Sequence, residues 1–250
     1  MRISIELVPR DAQTIVSQLT YIKQHFPAVD SVNFPDLLRY EMRSWECCSF
    51  SKPYYDHLIP HLRAIDVNLA DPQPLFAVLR ENQVREVLVV AGDPPQDMSK
   101  RVYPTTSLEL IKKCKAEMPG LKVYAGVDPY RSSLRGEMET IKRKIDAGAD
   151  GFFTQPFFDM RFMEIYSEFL QGQVVFWGIS PVTSEKSLLY WETKNNMVFP
   201  KKFSPTLRWN VEFARAALKF CRDTHQNIYF MPIRNDVFSY LEGIFGKTIE

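Results

Sequence analysis

What most limits the folds open to this chain is a regular alternation. Short runs rich in β-branched and aromatic residues stand at Ile3–Leu7, Ser31–Phe34, Leu62–Val67, Glu86–Val90, Lys122–Ala125, Gly151–Thr154, Val174–Gly178 and Ile228–Met231. Amphipathic stretches separate them, among them Ala12–His25, Pro72–Glu81, Ser107–Met118, Leu134–Ala147, Met160–Leu170 and Asn210–Thr224. Such alternation demands a parallel sheet with right-handed crossovers. Eight runs, most of them roughly 25–35 residues apart, match the repeat of an α/β (β/α)8 TIM barrel. An open dinucleotide-binding sheet would need a glycine-rich phosphate turn early on, and no G-x-G-x-x-G occurs. The segment around 180–208 breaks the rhythm. Pro181, Pro200 and Pro205 with Trp191 and Phe199 predict helices plus an elaborated loop after the seventh strand. No linker or repeat divides residues 1–250, so a single catalytic barrel domain is expected.

Charge narrows the function. With 31 basic and 30 acidic residues the net charge is +1. Nucleic acid or an anionic membrane would call for a basic stripe, and neither partner is expected. Cys47, Cys48, Cys114 and Cys221 form neither a metal knuckle nor a secreted disulfide framework. The opening MRISIELVPR lacks a signal-peptide core, so a soluble, cytoplasmic protein is expected.

In a barrel of this kind the chemistry sits at the C-terminal ends of the strands. Glu6, Asn33, His61, Asp66, Asp93, Asp128, Gln155, Ser180 and Asn235 fall there. Each alone is more often a helix cap or turn former than a catalyst; convergence from different strands on one mouth is what argues for a site. Glu6 lies inside the apolar run ISIELVP, where burial would raise its pKa toward that of a usable general acid. A structural ion pair is the competing role. Asp93 follows Gly92 and precedes two prolines, a turn that would let backbone approach a ligand or simply cap a helix. Gln155, in FFTQPFFD, is an amide among four phenylalanines and needs a hydrogen-bond partner, whether backbone or a planar heterocycle. Phe157 and Phe158 are available to stack on such a ring or to fill the core. No lysine falls at a strand end for a Schiff base, and four histidines give little for a metal.

IELVPR at 5–10, PHLRAID at 60–66, VVAGDPP at 89–95, KRKIDAGADGFFTQPFFD at 142–159 and GISPV at 178–182 occur in order. Together they resemble the catalytic barrel of the methylenetetrahydrofolate reductase family, in its short bacterial form without a regulatory extension. The resemblance implies an oxidoreductase that binds FAD at the barrel mouth. It would reduce 5,10-methylenetetrahydrofolate to the 5-methyl form, with NADH or NADPH as electron donor. It implies Glu6 as general acid and Asp93 as partner of a folate cation. Gln155, Phe157 and Asn235 would be substrate contacts, Gln155 at the pterin edge. Asn33, His61, Gly92, Asp93, Tyr103, Tyr130, Arg143 and Lys144 would meet the flavin. Several positions depart from the family pattern: Pro9-Arg10, Asn33-Phe34, Ala91 where an arginine is common, Gly126 to Tyr130, and Arg234-Asn235. Two other activities therefore stay open on the same fold. One is a flavin-free folate enzyme that takes hydride directly from NAD(P)H or transfers a methyl group to a partner protein. The other is a folate-binding subunit without turnover. A homo-oligomer is also compatible.

Overall fold

A computed structural model describes residues 1–95, 101–233 and 235–246. Arg234, half of the Arg234-Asn235 pair, lies outside them. Eight parallel strands close in sequence order: β1 (Ile3–Glu6), β2 (Ser31–Phe34), β3 (His57–Arg63), β4 (Glu86–Val90), β5 (Lys122–Val127), β6 (Gly151–Pro156), β7 (Val175–Ile179) and β8 (Asn227–Phe230), with β8 returning to β1. The helices are α1 (Ala12–His25), α2 (Glu46–Ser51), α3 (Gln73–Glu81), α4 (Ser107–Glu117), α5 (Leu134–Asp146), α6 (Met160–Phe169), α7 (Glu185–Asn195), α8 (Leu207–Asp223) and α9 (Val237–Phe245). This is the expected (β/α)8 barrel.

Period-two alternation divides the core into two layers. One face of the strands packs under the helices: Ile3, Ile5, Val32, Val87, Val89, Val123, Ala125 and Trp177 belong to that cluster. The other face fills the barrel with Ile59, Leu88, Tyr124, Phe153, Phe176, Tyr229 and Met231. Phe153 stacks on Phe176, with centroids 4.2 Å apart and planes 14° from parallel. The barrel interior is thus plugged by side chains. Side-chain caps fix where the helices begin: Asp11, Ser133, Asp159, Ser184, Thr206 and Asp236 each accept a first-turn N–H, and Thr106 forms a capping box with Glu109. Each cap stabilises its helix by about 1 kcal/mol.

The third strand is not where the sequence suggests. It runs over His57–Arg63, and Ala64–Asp66 is a 3-10 turn. Pro60 sits within the strand opposite Phe34. A proline cannot donate to a ladder, so its presence argues against a central strand from sequence alone. The helices α2 and α9 also go beyond the expected set, while the 180–208 region does hold a helix, α7, and a long loop. Thr206 caps α8 and starts it three residues before Asn210.

The lower end of the barrel is closed by a charged plug. Arg2 Nη1 donates to Glu86 Oε2 at 2.7 Å, and Tyr124 Oη donates to the same oxygen at 2.8 Å. His57 Nδ1 meets Glu86 Oε1 at 2.6 Å. The Arg2 guanidinium also lies 5.2 Å from the Phe176 ring centroid.

Candidate active site

At the opposite, C-terminal end the strands open into a cavity of about 720 Å³. That is the size of a small-molecule site. Glu6, His61, Gly92, Asp93, Asp128, Lys144 and Gln155 all line it, from five different strands or the segments that follow them.

Glu6 ends β1 with its side chain pointing into the barrel. It is 8 % exposed and makes no hydrogen bond with a described residue. Burial pushes its pKa up to about 8, so the carboxyl holds a proton at neutral pH. His61, on the inward column His57–Ile59–His61–Arg63 of β3, brings Nε2 to 4.0 Å from Glu6 Oε2. Burial pushes His61 down to about 3. With both groups neutral the contact is not an ion pair, and at 4.0 Å it is too long for a hydrogen bond. His61 Nε2 instead lies 3.0 Å from Asn33 Oδ1, and Asn33 Nδ2 donates to Ser4 Oγ at 3.0 Å. Asn33 is therefore fully buried beneath the site and supports His61 from below.

Gly92 adopts φ +84, a left-handed conformation that suits glycine. A Cβ there would come within 3.0 Å of Ile65 Cγ1 and 3.1 Å of Arg63 Cβ, so a side chain at this point would be both strained and crowded. The turn presents Asp93 exposed on the rim. A chain of charges fixes it. Asp36 pairs with Arg43, Arg43 Nη2 donates to Asp66 Oδ2 at 3.1 Å, and Arg63 Nε donates to the same oxygen at 3.0 Å. Arg63 Nη2 then donates to the Asp93 carbonyl at 2.5 Å. Asp66 is thus a structural member of this chain.

Across the mouth, Lys144 Nζ reaches from α5 to the Gly126 carbonyl at 2.5 Å. Burial lowers its pKa and raises that of Glu137, whose Oε1 accepts from the Asp128 N–H at 3.0 Å. Arg131 pairs with Asp128 at 3.5 Å. Gln155 projects half-buried into the cavity, with no hydrogen-bond partner for its amide among the described residues.

Other expected residues lie elsewhere. Phe157 is fully buried under the helices, packed edge-on against Phe162, Tyr166 and Trp177, and so offers no face to the cavity. Tyr130 donates to the Pro156 carbonyl and packs against Phe162. Tyr103 lies beside Arg101 with its N–H on Ile65, and Arg143 is exposed on α5, off the cavity wall. Asn235 accepts from Thr183 Oγ1 and donates to the Pro181 and Ile233 carbonyls, and Ser180 donates to the Met231 carbonyl; both tie loops together.

The structure also adds residues to the site. Arg39, Arg63, Glu137, Thr154, Tyr229 and one face of α7 (Ser187, Tyr190, Trp191, Asn195) line the cavity. The i, i+3, i+4, i+8 spacing on α7 was visible in the sequence, and so was the β3 column once its strand is moved to His57. Asn195 Nδ2 is buried with no partner among the described residues, an orphan donor on the cavity wall. Groups of the kind that meet a planar, phosphate-bearing ligand stand along these walls. Gly126 faces the cavity, where a methyl would meet only Val90 Cγ1 at 3.8 Å; Gln155 offers an unpaired amide; and Lys144, Arg131 and Arg39 supply cations for a phosphate. Among the described residues, no group of three or more His, Cys, Asp or Glu could hold a metal ion, and no helix is long and apolar enough to cross a membrane.

Comparison with known proteins gives this geometry a family. The model of the family described as "Methylenetetrahydrofolate reductase" matches residues 51–218. The 5,10-methylenetetrahydrofolate reductase of Escherichia coli (strain K12) is 30% identical over 152 residues, 56% of this chain and 49% of that protein. That of Pectobacterium carotovorum is 30% identical over 149 residues, 56% of this chain and 49% of that protein. The chain spans about half the length of these curated relatives. In fold it is similar to a protein from Clostridium thermocellum described as binding two copies of 5-methyl-5,6,7,8-tetrahydrofolic acid. There the TM-score is 0.65 at 14% identity, covering 97% of this chain and 92% of that one. An oxaloacetate acetylhydrolase shares the fold at TM-score 0.60 and 10% identity, covering 96% of this chain and 78% of that one.

Proposed function

The chain belongs to the methylenetetrahydrofolate reductase family, and from that membership we propose that it reduces 5,10-methylenetetrahydrofolate to 5-methyltetrahydrofolate at the barrel mouth. The observation that carries the reading is Glu6: a buried, unpaired carboxyl on the cavity floor that keeps its proton at neutral pH. Opening the imidazolidine ring requires a proton at the departing amine nitrogen, N10, as its bond to the methylene carbon breaks and an N5 iminium cation forms. Glu6 gives that proton. Asp93, a carboxylate on the rim, would offset the iminium charge. Gln155 has an amide free to pair with the donor and acceptor edge of the pterin. The residues that would hold FAD are His61, Gly92, Gly126 and Asp93 along its ring, and Lys144, Arg131 and Arg39 at its phosphates. When bound, FAD would supply the hydride that the methylene carbon takes up, with NADH or NADPH as the source of the electrons.

A second reading has a specific support. Asn33, Tyr103, Tyr130 and Arg143, four of the residues the family resemblance assigns to the flavin, stand off the cavity. On that reading the same folate chemistry takes its hydride directly from NAD(P)H. The visible spectrum separates the two: flavin absorbance after incubation with FAD supports the first, and a protein that stays colourless yet turns over supports the second. In either case Glu6→Gln should lower turnover by about 10²- to 10⁴-fold while 5-methyltetrahydrofolate still binds. Undiminished turnover in that variant removes Glu6 from the mechanism.

A further inference from the structure

Between β6 and β7 the ladder slips. Phe153 pairs with Phe176, but the next pair is Pro156 with Gly178, so β6 spends three steps where β7 spends two. The extra residue is a β-bulge, a device that re-aims side chains near active sites. Its effect is visible in direction. Phe153, Thr154 and Gln155 all line the barrel interior or mouth, while Phe157 turns outward under α6. With strict alternation Gln155 and Phe157 would point the same way.

Three groups hold this slip in place. Thr154 Oγ1 accepts the Gly178 N–H at 2.9 Å, replacing the ladder bond the bulge removes. The Phe157 N–H returns to the Gly178 carbonyl at 3.0 Å and resumes the ladder. From β8, the buried Tyr229 hydroxyl donates to the Thr154 carbonyl. The fit is close enough to forbid a side chain on Gly178, whose Cβ would lie 2.5 Å from the Thr154 oxygen and 2.9 Å from Tyr229 Cε1.

We infer that Tyr229 and Thr154 are positioning residues for Gln155: their hydrogen bonds clamp the bulge that delivers its amide to the ligand. The inference rests on the folate reading for the identity of the ligand, but not for the clamp. A phenol that only filled space would not need its hydroxyl. Here that hydroxyl satisfies a carbonyl stripped of its regular strand pairing, and leaving such a buried acceptor unpaired is costly.

The clamp and its purpose are tested separately. In the protein without ligand, Tyr229→Phe should speed amide hydrogen exchange at Phe157 and Gly178 by about tenfold, leaving β2 and β3 unchanged. Thr154→Val should do the same, with Thr154→Ser restoring protection. Unchanged exchange in both Tyr229→Phe and Thr154→Val overturns the clamp. With 5-methyltetrahydrofolate as probe, Tyr229→Phe should weaken binding by about tenfold in the parent, and by less than about twofold in a Gln155→Ala background. Equal losses in both backgrounds mean that Tyr229 acts on the fold at large and not through Gln155, and they overturn the positioning role. If exchange responds as expected but the parent protein does not bind the probe, the folate reading falls and the clamp stands.

Discussion

Two glutamates sit inside the same barrel, one at each end, and the protein treats them in opposite ways. Glu86, at the closed end, is 5 % exposed and surrounded by donors: Arg2, Tyr124 and His57 all reach its carboxylate. Burial pushes its pKa up, but the hydrogen bond and charge of Arg2, followed by His57 and Tyr124, outweigh burial and hold it below the ordinary value. Glu6, at the open end, is equally buried but has no donor among the described residues, so burial acts alone and holds it up at about 8. The lesson is that burial does not decide what a carboxylate is for; its partners do. A satisfied glutamate is ionised and structural. An unsatisfied one is protonated, costs stability when it ionises, and has a proton to give.

The largest effect should come from the closed end. Glu86→Ala leaves the half-buried Arg2 without its counter-ion and should cost about 3–5 kcal/mol in chemical denaturation. A loss under about 1 kcal/mol would mean the plug is ornamental. Glu6→Gln should behave in the reverse sense. The parent holds the Glu6 proton in the folded state up to about 8, whereas the unfolded chain releases it near the ordinary value of 4.5. Stability in the parent therefore falls as pH rises through that window, because the folded state binds the extra proton. Glutamine does not titrate, so the variant should match the parent near pH 4 and exceed it at pH 9 by on the order of 3 kcal/mol. A difference that does not grow with pH would break the comparison. Smallest of the three, Tyr124→Phe removes one of Glu86's donors and should cost about 1 kcal/mol, with the Arg2 pair intact.

Much of this could be read before the structure. Glu6, Asp93, Gln155 and His61 stand on the cavity because strand ends in a parallel barrel share one mouth, and the alternation of the chain makes the barrel legible. What was hidden is local backbone behaviour. Pro60 disguised β3, and with the strand misplaced Arg63 could not be seen as the next inward residue after His61. The bulge at Thr154 and Gln155 turned Phe157 out of the site, and nothing in FFTQPFFD announces it, since the slip is fixed by Gly178 and Tyr229 far along the chain. The roles of Asn33, Tyr130 and Asn235 as internal braces depend on contacts between separate segments. Lys144 was found by resemblance and reaches the cavity from a helix, whereas its neighbour Arg143 faces solvent, as one step along a helix requires.

The most direct test of the account is the titration of Glu6 itself. Carbon-detected NMR of side-chain carboxyls, assigned by the loss of one signal in Glu6→Gln, reads its protonation in the intact protein. A midpoint near 8 is the predicted result. A midpoint near the ordinary 4.5 would mean the carboxyl is ionised at neutral pH, and it would contradict both the general-acid role and the contrast with Glu86.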